Sequence, residues 1–189
     1  MPDFTLHSIP REWSKLLSRI QQKESRALIA GGCLRDHYLE RPVADIDIFV
    51  PDDETGAAGV IRYDRPVLAK SVQQPYFTHD SDVRQIGYYE SAEERLTPVN
   101  LIHVSSYACT PWDQIERFDF GICQIAFDGQ QLFMTSAFGR DVKERTFTYL
   151  RQEPSEAQHE ASMGRFERLS LKYPGWKLRQ PLTDALDVL

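Results

Sequence analysis

Two apolar periods alternate along the chain, and each switch between them marks an element. Trp13, Leu16, Leu17 and Ile20 recur at i, i+3, i+4 and i+7 behind Pro10, which predicts a covering helix with proline near its start. Leu28-Ile29-Ala30 is a continuous apolar run that stops at Gly31-Gly32, so it predicts a buried strand ended by a turn. Residues 33–39 return to a short helical pattern. Asp45-Ile46-Asp47-Ile48 then alternates strictly, which predicts a strand with both carboxylates on one face and both isoleucines on the other.

Residues 85–89 and 99–104 are β-rich runs that flank an acidic turn at 90–97 and extend the same sheet as a meander. Thr110-Pro111-Trp112-Asp113 is a helix-start signal, with Thr110 as N-cap and Asp113 in the first turn of a short helix reaching about Phe118. Residues 118–128 predict a strand closed by the Asp128-Gly129 turn and paired with Leu132-Phe133-Met134. Beyond Ser136 the pattern is helical, with one helix near 139–150 and another over 154–171, stopped by Pro174-Gly175. Residues 57–70 are ambiguous, and 73–82 read as a loop in which His79 is a surface histidine beside Asp80. His103 alternates with apolar neighbours and reads as structural. The expected fold is α/β in the α+β sense: a mixed, largely antiparallel sheet of about five strands backed by helices. Residues 1–150 form its main unit and 151–189 a helical C-terminal segment beside the cleft.

The chemistry concentrates between Leu28 and Val50. Gly31 and Gly32 can take positive φ and bring backbone N–H groups close to a ligand, and the helix that follows points its N-terminus at the same place, as a triphosphate would need. Asp45 and Asp47 are like charges on one strand face, an arrangement that costs energy unless a cation lies between them. Mg²⁺ suits carboxylates combined with substrate phosphates, and two such ions clamp the attacking and leaving oxygens of an in-line phosphoryl displacement. The acidic loop at 51–56 reads instead as solvated.

The string Gly-Gly-x-x-Arg-Asp followed by Asp-Ile-Asp-Ile resembles the head domain of the tRNA nucleotidyltransferase and poly(A) polymerase family, within the polymerase-β-like nucleotidyltransferase superfamily. Gly31, Gly32, Arg35, Asp36, Asp45 and Asp47 meet that compound pattern. The resemblance implies the superfamily fold, an NTP substrate such as ATP, Mg²⁺ in a two-metal site, and transfer of an NMP to an acceptor hydroxyl, foremost an RNA or tRNA 3′ end. It implies metal binding by Asp45 and Asp47, triphosphate binding at Gly31 and Gly32, and ribose-side or bracing roles for Arg35 and Asp36. Such sites usually carry a third carboxylate on a neighbouring strand, and Asp119 is the candidate, as catalytic group, metal ligand or ribose contact. The segment RFDFGICQIAFD resembles the family's RRDFTINALAYD, with Arg117, Asp119 and Phe120 matching; Phe118 stands for the second arginine and Gly121 for the threonine, so those two roles do not transfer. Arg165, Arg168 and Lys172 share one helix face and are expected to wall the nucleotide, with Tyr173 and Trp176 interleaved as stacking groups. The family's base-reading motif has no clean equivalent.

Composition narrows the partners. At 189 residues the chain is expected to be a minimal member without the neck, body and tail domains that hold tRNA in CCA-adding enzymes, a size that suits a small toxin or a phage-encoded accessory enzyme. The net charge of −6 provides no general basic field for a long nucleic acid, so any RNA contact is local. Cys33, Cys109 and Cys123 are odd in number and lack zinc spacing, consistent with a reduced cytoplasm. A charged-then-apolar leader and a membrane-length apolar run are absent, so a soluble, untargeted protein with no membrane partner is expected. Two other readings remain open: nucleotidylation of a protein side chain, and a catalytically silent nucleotide-binding module.

Overall fold

The computed structural model describes residues 8–51, 57–64, 67–68, 83–91, 96–105 and 110–180. Cys109, the acidic loop at 52–56, and His79 and Asp80 with the rest of 69–82 lie outside the described residues. Helix α1 (Arg11–Gln21) forms where the apolar stripe requires it, with Trp13, Leu16, Leu17 and Ile20 buried. Strand β1 (Leu28–Ala30) leads into α2 (Gly32–Tyr38), and β2 (Ile46–Pro51) follows. The ambiguous stretch resolves into α3 (Ala57–Asp64) and the short β3 (Val67–Leu68). The meander is present as β4 (Val83–Ser91) and β5 (Val99–Val104). Helix α4 (Pro111–Glu116) is capped as its sequence dictates, the Thr110 hydroxyl accepting from the Asp113 amide at 3.2 Å.

Strands β6 (Ile125–Phe127) and β7 (Leu132–Met134) close a hairpin in which the Asp128 carboxylate accepts from the amides of Gln130 and Gln131. Helix α5 (Ser136–Glu144) and β8 (Thr146–Thr148) come next, then α6 (Glu156–Lys172) and β9 (Lys177–Arg179).

Among the described residues seven strands form one sheet in the order β3-β4-β5-β2-β1-β6-β7, where about five were expected, and the edge strand β3 comes from the stretch whose pattern is ambiguous. Every pairing is antiparallel except β2 with β5. Each face of the sheet covers its own cluster. Ile29, Ile46, Ile48, Val50, Val99 and Leu101 point to the larger one, under α1, α3 and α6. Leu28, Ala30, Phe49, Ile102 and Val104 point to the smaller one, with Ile115 of α4 and Phe118. Asp45 and Asp47, two and four residues before Phe49, therefore share the face of the smaller cluster.

Two predicted elements are corrected. Residues 118–124 are not strand: Phe120 makes one isolated bridge to Tyr149, and a tight 3-10 turn occupies Gly121–Cys123. α5 presses on that turn, so that a Cβ at Gly121 would stand 2.8 Å from an Asp141 carboxylate oxygen and 3.0 Å from the Ala137 Cβ. The helix predicted over 139–150 ends at Glu144, where Arg145 turns left-handed at φ 57°. The buried Asp141 carboxylate then takes hydrogen bonds from the Thr146 and Thr148 hydroxyls and the Thr148 amide, starting β8 as a strand. Beyond residue 150 the chain stays in the same core, since β8 pairs in parallel with β9 and Leu169 and Tyr173 are buried with the sheet residues. Among the described residues no helix is long and apolar enough to cross a membrane.

Candidate active site

The sheet register gathers the candidate residues at one end. Ile29 faces Ile48, Ile46 faces Val99, Asp47 faces Asn100, and the Gly31 amide donates to the Ile125 carbonyl at 2.9 Å. The end of β1, the starts of β2, β5 and β6, and the N-terminus of α2 thus meet around the carboxylate pair.

Gly31 sits at φ 82°, and a Cβ there would lie 3.0 Å from the Phe118 ring, so this position needs glycine twice over. Its amide is bonded to β6; the amides still offered by the turn are those of Gly32 and Cys33, in the first turn of a helix, while the Leu34 amide donates to the Cys33 thiol. A Cβ at Gly32 would meet only the Arg35 guanidinium, at an ordinary 3.5 Å. Gly31→Ala is accordingly expected to cost about 1–3 kcal/mol of stability, and Gly32→Ala to stay within about 0.5 kcal/mol. Thermal melts of the two variants separate a backbone requirement from a ligand requirement.

Asp45 and Asp47 are half-buried. The Asn100 amide nitrogen donates to Asp45 Oδ2 at 3.0 Å and to Asp47 Oδ1 at 2.9 Å, bridging the pair from β5. Even so, withdrawal from water and the Asp45 charge push the Asp47 carboxyl up to about 7. Tyr88 lies across from Asn100 on β4, its phenol pushed up by burial and by the charges of Glu90 and Asp45. Hard oxygen donors that disfavour their own joint ionisation are the ligand set a Mg²⁺-sized cation fits. Asn100 escaped the sequence reading; a single amide inside the apolar run VNLIHV was its only signal.

Asp119 is buried, and its carboxylate forms a 2.6 Å ion pair with Arg165 of α6. No group of three Asp, Glu, His or Cys side chains arranged to hold a metal occurs among the described residues. The strand position in register with Asp47 carries the Asn100 amide. Arg165 still reaches the site electrostatically, its charge and that of Arg35 favouring ionised Asp47.

Arg35, Asp36 and Tyr173, all buried, form a knot between α2 and the C-terminal end of α6, with Lys172 at its rim. Asp36 accepts from Arg35 Nε at 2.7 Å, from the Tyr173 hydroxyl and from Lys172, whose ammonium also reaches the Pro42 carbonyl at 2.9 Å. Arg35 further donates to Cys123 Sγ at 3.1 Å. Lys172 is therefore committed within the chain, and Tyr173 is buried rather than offered to a base. Trp176 packs on Phe147 and Tyr173, while Arg168 is exposed. Burial pushes the Cys33 and Cys123 thiols up, so neither is poised as a nucleophile. A cavity of about 400 Å³ lies at the other end of α2 from Gly31, lined by Tyr38, Arg41, Arg145 and Trp176 among others.

Solved structures of tRNA-processing and CCA-adding enzymes share this polymerase-β-like fold. A "tRNA-processing enzyme" in its apo form superposes with a TM-score of 0.65 at 18% identity, over 90% of this chain and 45% of its own. The Thermotoga maritima CCA-adding enzyme complexed with tRNA matches with a TM-score of 0.63 at 19% identity, over 91% of this chain and 39% of its own. A CCA-adding enzyme in complex with ATP matches with a TM-score of 0.64 at 17% identity, over 89% and 40%. The chain thus spans less than half the length of these structures. No curated protein sequence matches it. Residues 6–145 match the Gabija anti-defense 2 family, and the chain belongs to that family.

Proposed function

We propose that this chain is a Mg²⁺-dependent nucleotidyltransferase that moves a nucleoside monophosphate from a nucleoside triphosphate onto an acceptor hydroxyl, and that this transfer serves the anti-defence role its family is named for. One observation carries the reading: Asp45 and Asp47 share a strand face beside the free amides that follow Gly31. Held by the two carboxylates, Mg²⁺ would supply Lewis-acid polarisation of a phosphoryl oxygen. The amides of Gly32 and Cys33 cradle the triphosphate. Arg165 and Arg168 form the basic wall, with Asp119 holding Arg165 and the knot of Arg35, Asp36 and Lys172 bracing the helix that carries it. The acceptor oxygen attacks the α-phosphorus, the bond to the α–β bridging oxygen breaks, and pyrophosphate leaves with that electron pair while the hydroxyl proton passes to water.

The structural neighbours' names point to a tRNA 3′ end as acceptor. A protein side chain is the second reading, favoured by the net charge of −6 and by the engagement of Arg165 and Lys172 within the chain. Incubating wild type and the Asp45→Ala/Asp47→Ala variant with each α-labelled NTP, Mg²⁺ and total cell extract separates the two. Mutant-sensitive label in RNA supports the terminal transferase, and in protein the modifying enzyme. Nucleotide binding without transfer to either supports a silent module.

A further inference from the structure

We propose that the cavity at the far end of α2 is a binding site for a nucleoside monophosphate unit, separate from the carboxylate pair. The 7 residues of α2 rise about 10 Å, so the cavity and the Gly31 turn stand at opposite ends of one short helix. The cavity holds about 400 Å³. That falls inside the range of roughly 300–1,000 Å³ in which pockets enclose small ligands. Its walls combine two chemistries: Tyr38, Tyr173 and Trp176 supply rings, while Glu40, Arg41 and Arg145 supply charge.

The charges are uncommitted. Arg41 stands over the Tyr173 ring, 5.8 Å from its centroid, a contact that uses none of its N–H donors. Among the described residues Glu40, Arg41 and Arg145 form no ion pair, whereas Arg35, Arg165, Lys172 and Arg179 each meet a carboxylate. Two guanidiniums left without a carboxylate, in a chain whose net charge is −6, favour an anion at this cavity, and phosphate accepts from a guanidinium in bidentate fashion. The rings are held from behind. Trp176 packs on Phe147 and Tyr173 with centroids 5.4 and 5.2 Å away, and Tyr38 stands edge-on to Phe138 at 5.3 Å. The half-buried indole offers a planar base a stacking face. Glu40 and Arg145 follow the ends of α2 and α5 in left-handed conformations, φ 53° and 57°, where glycine is the usual residue. Glycine there would relieve strain and strip both charges from the rim. A carboxylate beside two guanidiniums suits a ligand that also donates, as ribose hydroxyls and base amino groups do. One nucleotide carries phosphate, ring and donors together, and it is supplied equally by a free mononucleotide and by the end of an RNA strand.

Equilibrium dialysis of the full chain against AMP, CMP, GMP and UMP, in buffer with EDTA, reads the site without engaging a cation at Asp45 and Asp47. At least one of the four is expected to bind, with affinity lowered about ten-fold or more by Arg41→Gln and by Arg145→Gln, since each removes a charge-assisted hydrogen bond. Both side chains are exposed, so neither change removes core packing. The bare nucleoside and ribose 5-phosphate, each lacking part of the unit, are expected to bind correspondingly more weakly. In ¹H–¹⁵N spectra the indole N–H signal that Trp176→Phe removes is expected to shift on addition of the mononucleotide. Asp45→Ala/Asp47→Ala is expected to bind it as wild type does. A 5′-phosphorylated RNA trinucleotide that displaces the mononucleotide and binds more tightly assigns the site to an RNA end, and one that binds more weakly assigns it to the free nucleotide. Absence of binding by all of these ligands overturns the inference, as does binding that survives both arginine changes. Binding lost in Asp45→Ala/Asp47→Ala and kept in the arginine variants puts the nucleotide at the carboxylate pair, which overturns the inference and leaves the proposed transferase standing.

Discussion

Replacing Asp47 with asparagine is expected to lower nucleotidyl transfer at least about a thousand-fold, because a cation supplies several kcal/mol of transition-state stabilisation and each 1.4 kcal/mol is a factor of ten. The same change is expected to raise the melting temperature of the metal-free protein. Asparagine keeps the shape and still accepts from Asn100, yet it removes one of two like charges held on a half-buried strand face. Each 1 kcal/mol so gained appears as roughly 2–4 °C in a chain of this size. Added Mg²⁺ is expected to raise the melting temperature of wild type, since a ligand bound only by the folded state stabilises it, and to leave the variant unmoved. Paired rate measurements and melts with and without Mg²⁺ check all three expectations. A variant that melts lower than wild type in metal-free buffer and still responds to Mg²⁺ would sink the reading of these carboxylates as a cation site.

The parts of this site that were legible in the sequence are those decided by local chemistry. An apolar run followed by Gly31, at φ 82° against Phe118, makes a strand and a turn almost regardless of context. Strict alternation puts Asp45 and Asp47 on one face, and the Thr110-Pro111-x-Asp113 cap starts α4 where it predicts. What was not legible is set by distant chain. Asn100 acquires its role through parallel pairing with a strand 53 positions away, a register no local pattern encodes. The RFDFGIC segment has strand composition, but the fit of Gly121 under Asp141 and Ala137 turns it into a 3-10 turn, and the Asp119 beside it pairs with Arg165. Arg145 ends α5 in a left-handed conformation without the glycine or asparagine that usually signals it, because Asp141 captures the two threonines that follow. Lys172 lies on the helix face expected to wall a ligand and Tyr173 follows it as an expected stacking group, and only their reach to Asp36, more than 130 residues earlier, shows them fastening the chain.

That fastening sets the largest expected loss of stability. Asp36→Ala leaves the Arg35 guanidinium, 8% exposed, with only Tyr173 and Cys123 as recorded side-chain partners, and breaking a buried pair from one side costs about 3–5 kcal/mol. The melting temperature is expected to fall by roughly 6–20 °C. Lys172→Met, at a rim where the side chain is 29% exposed, is expected to cost no more than about 1 kcal/mol. Tyr173→Phe is expected to cost about 1–2 kcal/mol for the lost hydroxyl bond. The decisive comparison is the double variant Arg35→Met/Asp36→Ala, which removes the orphaned charge along with its partner and is expected to melt above Asp36→Ala alone. A knot that only braces the site predicts this order in melts taken without nucleotide. Were Asp36→Ala to melt like wild type and lose NTP affinity instead, Asp36 would be a ligand contact, and the rigid seat of α6 behind Arg165 would need another cause.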